Sequence, residues 1–388
     1  MKRFMYVTIG IVLIIIMSAF SNAAGFMLGE ETKGITIGKA DDLNLTIRFR
    51  LQPRLDIGDL TQSRDGRSYT SESDLYLRRT RLEFEGDLIK NLKYAVHLSG
   101  DKWGKAGQAD KISLFYAYMD YKFLDALSLK VGKAKLPYSR ISLTSSSKQL
   151  LIERPVSTET VKKFFDDFEQ PNILAHGKLL NGIMAYYFAY ADGWAEGKTL
   201  RSGNTVHKAA PLWAARVEVA PPGWVEKGKS DSHIGKGRHL SLGLHYAAQE
   251  SIQYQENDLK EDRKLLGFDL SGHWKGVTAQ FEYNWWEENY TEPGKISKEP
   301  KGWYVQAGYL MDGINLEPAI RFEQYDQDAN TAEKTEEVWT VGVNWYAKGH
   351  SLKISANWVH SEFDRQASGW LAADDARDVF QMQAQLYF

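Results

Sequence analysis

Residues 378–388 alternate without a break: Phe380, Met382, Ala384, Leu386 and Phe388 fall on one face, Gln381, Gln383, Gln385 and Tyr387 on the other. A period of two is that of a β-strand, and one greasy face against one wet face is that of a strand walling a lipid-embedded barrel. Reading backwards, the same alternation predicts strands at 351–360, 338–346, 315–325, 302–310, 277–286, 264–274, 240–249 and 213–220. Further upstream it predicts strands at 183–191, 173–179, 127–135, 112–122, 92–100, 75–86 and 43–56, sixteen in all. An even number brings both ends of the wall to one side of a membrane, and the predicted fold is an all-β transmembrane antiparallel barrel.

The connections divide into two classes. Turns at Ile89-Lys90, Leu124-Asp125, Asn181-Gly182, Lys275-Gly276, Asp312-Gly313 and Lys348-Gly349 are short. Loops at 58–74, 192–210, 287–301, 326–337 and 361–376 are long and polar, as expected of outer loops opposite periplasmic turns. Residues 221–239, rich in Pro, Gly and Lys, fall where a short turn is due and read as an elongated periplasmic turn. Trp274, Trp285, Trp303, Tyr309, Trp339, Trp345 and Trp358 share the lipid-facing parity near strand ends, where aromatic girdles sit.

The first residues break the pattern. Lys2 and Arg3 precede an apolar run from Phe4 to Ala19, followed by Ser21-Asn22-Ala23. The run is shorter than the ~20 residues of a spanning helix, and small residues stand where a signal peptidase cuts. Residues 1–23 therefore read as a secretory signal peptide, leaving 24–388 as one barrel domain in the bacterial outer membrane. The mean hydropathy of −0.43 fits, because only every second residue of a barrel strand meets lipid. The chain has no cysteine, which suits an oxidising compartment and removes thiol nucleophiles and Cys-type zinc sites.

The net charge is −2, or −4 without Lys2 and Arg3, so any anion preference must come from local distribution. Sixteen strands leave a water-filled lumen unless a loop narrows it. The longest connection, 136–172, is expected to fold inward as a constriction loop. With Leu45, Ile47, Phe49 and Leu51 facing lipid, Arg48, Arg50 and Arg54 face the lumen. By the same parity Arg79, Arg81, Lys93, His97 and Lys130 point inward, with Glu83 and Glu85, while Arg78 falls on the other face. Guanidinium groups along one wall would supply fixed donors to a dehydrating oxyanion. The alternative is a charge-balanced wall, in which the arginines form salt-bridge ladders with Glu83, Glu85, Glu282, Glu317 and Glu323.

The runs Leu77-Arg78-Arg79-Thr80-Arg81-Leu82-Glu83-Phe84-Glu85-Gly86, Leu129-Lys130-Val131-Gly132-Lys133-Ala134-Lys135-Leu136-Pro137-Tyr138-Ser139 and Glu153-Arg154-Pro155 resemble the phosphate-selective porin O/P family. The resemblance implies a trimeric sixteen-stranded outer-membrane channel, narrowed by inward loops and lined by arginines and lysines that pass anions. By that likeness Lys135 matches the lysine leading into the constriction loop, and Arg79 and Arg81 match the inward arginine run. Where the family carries Gly-Arg-x-x-Gly after that loop, this chain has Gln170-Pro171-Asn172-Ile173-Leu174-Ala175, preceded by Asp166, Asp167 and Glu169.

Other classes are weaker. His97, His245, His273 and His360 near Ser99, Ser241, Ser271 or Ser355 lack a nucleophile motif, and the histidines show no metal-ligand spacing. Basic segments without stacking aromatics on an exported barrel do not suggest nucleic acid. The expected protein is a passive, anion-preferring porin, phosphate or related oxyanions included, with Arg48, Arg50, Arg79, Arg81, Lys130 and Lys135 along the anion pathway. A non-specific porin, or a barrel serving as a sheath for a partner, is the alternative. Neither catalysis, a cofactor nor a metal is expected; the partners would be small solutes, outer-membrane lipid, lipopolysaccharide and two further copies in a homotrimer.

Overall fold

The structure, a computed structural model, describes residues 33–38, 43–63, 65–200, 203–226, 228–255, 260–291 and 297–388. The signal peptide expected over 1–23 lies outside the described residues. The first strands are β1 (Ile35–Gly38), β2 (Asn44–Gln62), β3 (Tyr69–Ile89), β4 (Leu92–Trp103), β5 (Ser113–Leu124) and β6 (Leu127–Lys135). Then come β7 (Glu169–Leu179), β8 (Met184–Ala191), β9 (Val206–Lys208), β10 (Leu212–Val219), β11 (Arg238–Tyr254) and β12 (Lys260–Trp274). The last six are β13 (Val277–Tyr290), β14 (Lys301–Tyr309), β15 (Leu316–Asp326), β16 (Thr335–Lys348), β17 (Leu352–Phe363) and β18 (Ala376–Tyr387).

Sixteen of these, β2–β8 and β10–β18, pair antiparallel with their neighbours, and β18 pairs back onto β2 to close the wall. Closure removes every sheet edge, which is what lets strands cross a membrane with their backbone groups satisfied. At the seam Phe49 and Phe388 exchange backbone hydrogen bonds of 2.9 and 3.1 Å. The alternation behaves as read: on β18 Gln381, Gln383, Gln385 and Tyr387 are buried inside, while Met382, Ala384 and Leu386 are partly exposed outside.

Three features differ from the sequence expectation. The short β1 and β9 add to the wall at β2 and β11. The 58–74 loop is mostly strand, since Thr61 pairs Thr70 and Gln62 pairs Tyr69; this hairpin end is polar on both faces and leaves no hydrophobic alternation to read. Third, the 221–239 segment is no plain turn: Asp231 and Ser232 are fully buried. Asp231 O accepts from Thr278 Oγ1 at 2.8 Å, and Ser232 Oγ donates to Glu317 Oε1 at 3.0 Å, so the segment meets inward-facing side chains of β13 and β15.

The connection between β6 and β7 carries two short helices, α1 (Arg140–Leu143) and α2 (Val156–Phe164). Ser139 caps α1 through Ser142 N. Leu136, Tyr138, Val161, Phe164, Phe165 and Phe168 of this connection pack on Leu174, Ala189, Leu212, Ala214, Leu265 and Trp286 of the wall. That half of the wall presents apolar side chains inward, and the connection covers them. On its other flank Asn344 Nδ2 donates to Leu150 O (2.7 Å), Lys353 Nζ to Gln149 O (3.1 Å) and Gln385 Nε2 to Ser147 O (3.1 Å).

Candidate functional site: a cation-lined cavity

One side of the interior, along β2–β6, encloses a cavity of about 710 Å³. Eleven Lys and Arg residues line it against six Asp and Glu. All six cations expected on the anion pathway are there: Arg48 and Arg50 on β2, Arg79 and Arg81 on β3, Lys130 and Lys135 on β6.

Most of these charges are already matched. Arg50 Nη2 lies 2.7 Å from Glu83 Oε1, its Nη1 donates to Ser146 Oγ at 3.0 Å, and its guanidinium sits over the Tyr387 ring. Arg48 pairs with Glu85, Arg81 with Asp101 (3.4 Å) and Lys130 with Asp120 (3.3 Å). Arg81 also stacks 3.7 Å over the Phe115 ring. Lys135 donates to Ser142 O (2.8 Å), Leu143 O (3.0 Å) and Thr144 O, satisfying carbonyls at the end of α1.

Arg78 corrects the sequence reading, because it lines the cavity rather than the other face. Its Nε and Nη2 bind Glu153 Oε1 and Oε2 at 2.6 and 3.0 Å, a two-pronged grip. The cause is a bulge: Gln52 pairs with Arg79 but Pro53 pairs with Leu77, so Arg78 is the extra residue. Pro53 lacks an N–H for the ladder, and such residues sit at bulges. The parity of β3 flips there, and Arg78 and Arg79 both turn inward.

Glu153, which sequence reasoning left without a role, is the hub. Arg54 also pairs with it, and Arg79 Nη2 lies 3.7 Å away. Burial pushes its carboxyl up, but Arg78, Arg54 and Arg79 outweigh that and hold it well below the ordinary carboxylate range. Asp167 on the cavity lining is moved the other way, raised by burial and by neighbouring Glu169.

The acids of the later strands do not share the cavity. Glu282 accepts from Ser139 Oγ at 2.6 Å, Glu323 takes the Val156 N–H, and Glu317 takes Ser232 Oγ and Tyr346. They hold the two segments that lie against them. The wall is therefore divided: a cation-rich half along β2–β6 faces open space, and the acidic half is occupied.

The histidine–serine pairs weighed as catalytic do not assemble as a set. His97 pairs with Glu85, His245 with Asn284, and His360 with Asp378 and Glu362. His239, outside that set, hydrogen-bonds Ser271 at 2.7 Å, and among the described residues no carboxylate lies within hydrogen-bond reach of it, Glu226 being 4.0 Å away. Glu83, Glu85 and His97 place ligand-type atoms close together, but both carboxylates are already held by guanidiniums.

At the short-turn end lie two further spaces. A cavity of about 450 Å³ is lined by Glu218, Glu226 and Lys229 together with Leu143, Ser145, Lys148 and Tyr187, and the last four also line the large cavity. A wider space of about 920 Å³ opens beside it around Lys122, His176 and Lys178.

Residues 47–388 match the family described as phosphate-selective porin O and P. An uncharacterized protein of Aquifex aeolicus (strain VF5) is 35% identical, covering 94% of this chain and 92% of its own. Among solved structures, the anion-selective porin from Comamonas acidovorans superposes with a TM-score of 0.61 at 14% identity, covering 89% of this chain and 99% of that one. The outer membrane channel DcaP of Acinetobacter baumannii gives 0.60 at 12% identity, covering 94% and 100%. The trimer form of OmpT from Vibrio cholerae gives 0.56 at 10% identity, covering 89% and 99%.

Proposed function

The chain belongs to the phosphate-selective porin O and P family, and from that premise we propose that it is an outer-membrane porin that passes small anions, phosphate and related oxyanions among them, down their gradients. The observation that carries the anion preference is the makeup of the large cavity, with Lys and Arg outnumbering Asp and Glu by eleven to six. A passing solute loses part of its hydration, and fixed ammonium and guanidinium donors lower that cost for negative charge and raise it for positive charge. The 136–168 connection narrows the path by filling the opposite half of the lumen. The short-turn end is assigned to the periplasm, and the trimeric assembly of a porin of the same fold supports three copies per channel unit.

In this mechanism Arg48, Arg50, Arg79, Arg81, Lys130 and Lys135 act as a graded wall rather than as one tight site. Paired with acids, Arg48, Arg50 and Arg81 present a reduced net field to the cavity. Such a wall favours passage over retention. That balance also supports a second reading, a broadly selective porin with only mild anion preference.

The test is the reversal potential of the purified protein in a planar bilayer under a KCl gradient, followed by phosphate titration. Chloride preference with current blocked by low phosphate supports the oxyanion reading. Chloride preference without block leaves the broad anion channel, and cation preference overturns the assignment.

A further inference from the structure

We propose that residues 228–237 of the inward segment form a gate released by acid, with His233 laid over His239 and His273 of the wall as its proton sensor. The inference needs the barrel to conduct but not to prefer anions. The His233 ring lies 4.5 Å from that of His273 and 5.6 Å from that of His239, centre to centre, with 18° and 23° between the planes. His239 and His273 stand opposite one another on β11 and β12, and both are buried. Such a stack favours neutral rings, since a second or third proton would set like charges face to face at those distances. It does not suit a metal ion, because near-parallel rings aim their in-plane lone pairs side by side rather than at one point.

Little counter-charge is left for a protonated stack. Among the described residues the only carboxylate within 4.0 Å of these rings is Glu226, with Oε2 3.9 Å from His233 and 4.0 Å from His239. Arg140 of α1 already grips both of its oxygens, at 2.6 and 2.9 Å, and adds a positive charge of its own. Within the segment Lys229 pairs with Glu218 of β10 at 2.6 Å, and Asp231 accepts from Gln280 of β13 at 2.9 Å. From the other elements, His350 of the β16–β17 turn reaches Ser232 O at 3.0 Å, Glu317 of β15 takes Ser232 Oγ, and Asp312 of the β14–β15 turn lies against Gly235. Burial first, then His273, push the His233 imidazole down to about 3, with Glu226 pulling the other way.

The segment is also held in a way that can be undone. None of residues 228–237 belongs to an apolar cluster of the interior; its ties are hydrogen bonds, among them Asp231 N and Ser232 N to Lys148 O at 3.1 and 3.2 Å. Few buried apolar contacts mark the low-stability end of a fold. Next to the sensor, Ile234 holds φ at 52°, in the left-handed region that a β-branched residue resists, so the docked segment carries strain. Gly228 and Lys229 help to line the space of about 450 Å³ that adjoins the large cavity, and displacing them widens that route.

The sign follows from linkage. Above the ordinary histidine pKa of about 6.5 the docked, neutral stack is favoured. As pH falls below it, each proton that binds only the displaced state shifts the balance by up to about tenfold per pH unit, and three shift it by up to about a thousandfold.

The experiment follows single-channel conductance in planar bilayers from about pH 7.5 to about pH 3.5, a range that brackets histidine titration, for wild type, His233→Phe and His233→Gln. Wild type should pass to a higher conductance level on acidification, with a pH dependence steeper than one proton. His233→Phe keeps a flat ring, His233→Gln keeps a polar group, and neither takes a proton there, so both should stay at the neutral-pH level. The chain has no cysteine, and a Cβ added at Gly228 would meet nothing within 4 Å. Gly228→Cys can therefore carry an environment-sensitive fluorophore, whose emission should change over the same pH range in the otherwise wild-type chain and not beside His233→Phe. One conductance level and constant emission throughout would overturn the gate. A transition retained in both His233 variants would assign it to carboxylates such as Glu226 and overturn the sensor. No current at any pH overturns the channel reading and the gate with it.

Discussion

Glu153 meets three guanidinium groups from two strands, Arg54 on β2 and Arg78 and Arg79 on β3. Its lowered carboxyl pKa means the attachment is present above the ordinary carboxylate value and is lost only as pH falls through the lowered one, so it holds fully at neutral pH. Glu153→Gln should raise the chloride-over-potassium ratio, because the three guanidiniums lose their counter-charge. It should also cost about 1.5–3 kcal/mol in unfolding free energy, the range for a hydrogen bond to a charged group, read by denaturant titration of the barrel. Asp167 gives a second test. With its pKa raised by burial and by Glu169, it loses its charge at a higher pH than an ordinary carboxyl, so on acidification chloride preference should begin to increase above the pH at which an ordinary carboxyl titrates. Asp167→Asn should start at the higher ratio and show a flatter pH profile; an unchanged profile would remove Asp167 from the path. At this scale the parity rule placed Arg48, Arg50, Arg79, Arg81 and Lys130 correctly on the inner face. It missed Arg78 because one bulge at Pro53 reverses the faces of β3, although Pro53 itself was a readable signal.

At the scale of elements, the loop between β6 and β7 is held by apolar packing on one flank and by hydrogen bonds on the other. Phe165 and Phe168 are fully buried, with Tyr138 edge-on to Phe168 at 5.2 Å between ring centres. Phe165→Ala should destabilise the protein by about 3–5 kcal/mol, and the loosened loop should show as larger, noisier single-channel conductance. Unchanged conductance would mean that the loop does not border the conducting path. The wall strands were legible because lipid enforces alternation on them. The seating of the loop was legible in a subtler way: Leu265-Leu266, Trp285-Trp286 and Ala247-Ala248 put apolar residues on both faces, and the inner member of each pair lies under the loop. The polar hairpin end of β2 and β3 and the inward 221–237 segment were not legible. Neither is patterned by lipid, and their placement depends on partners such as Gln280 and Glu317 far along the chain.

For the whole molecule, an anionic chain with a cation-lined passage must select through a local field rather than net charge. Such a field is screened over about 10 Å at 0.1 M salt and about 3 Å at 1 M. The chloride-over-potassium ratio should therefore fall as KCl is raised between those concentrations at a constant gradient. A ratio independent of salt would point to size exclusion or direct coordination instead. The division of the lumen also bears on how the molecule comes to be built. Loop residues Ser139, Ser147, Gln149, Leu150 and Val156 are all secured by groups that follow them in the chain, on β13 and β15–β18. Eight wall strands precede the 221–237 segment in the chain, and the last tether, Gln385, lies on the strand that seals against β2. The interior thus cannot be completed before the seam closes, and contacts spanning such sequence distances make for slow assembly. This is a barrel that winds around its own filling.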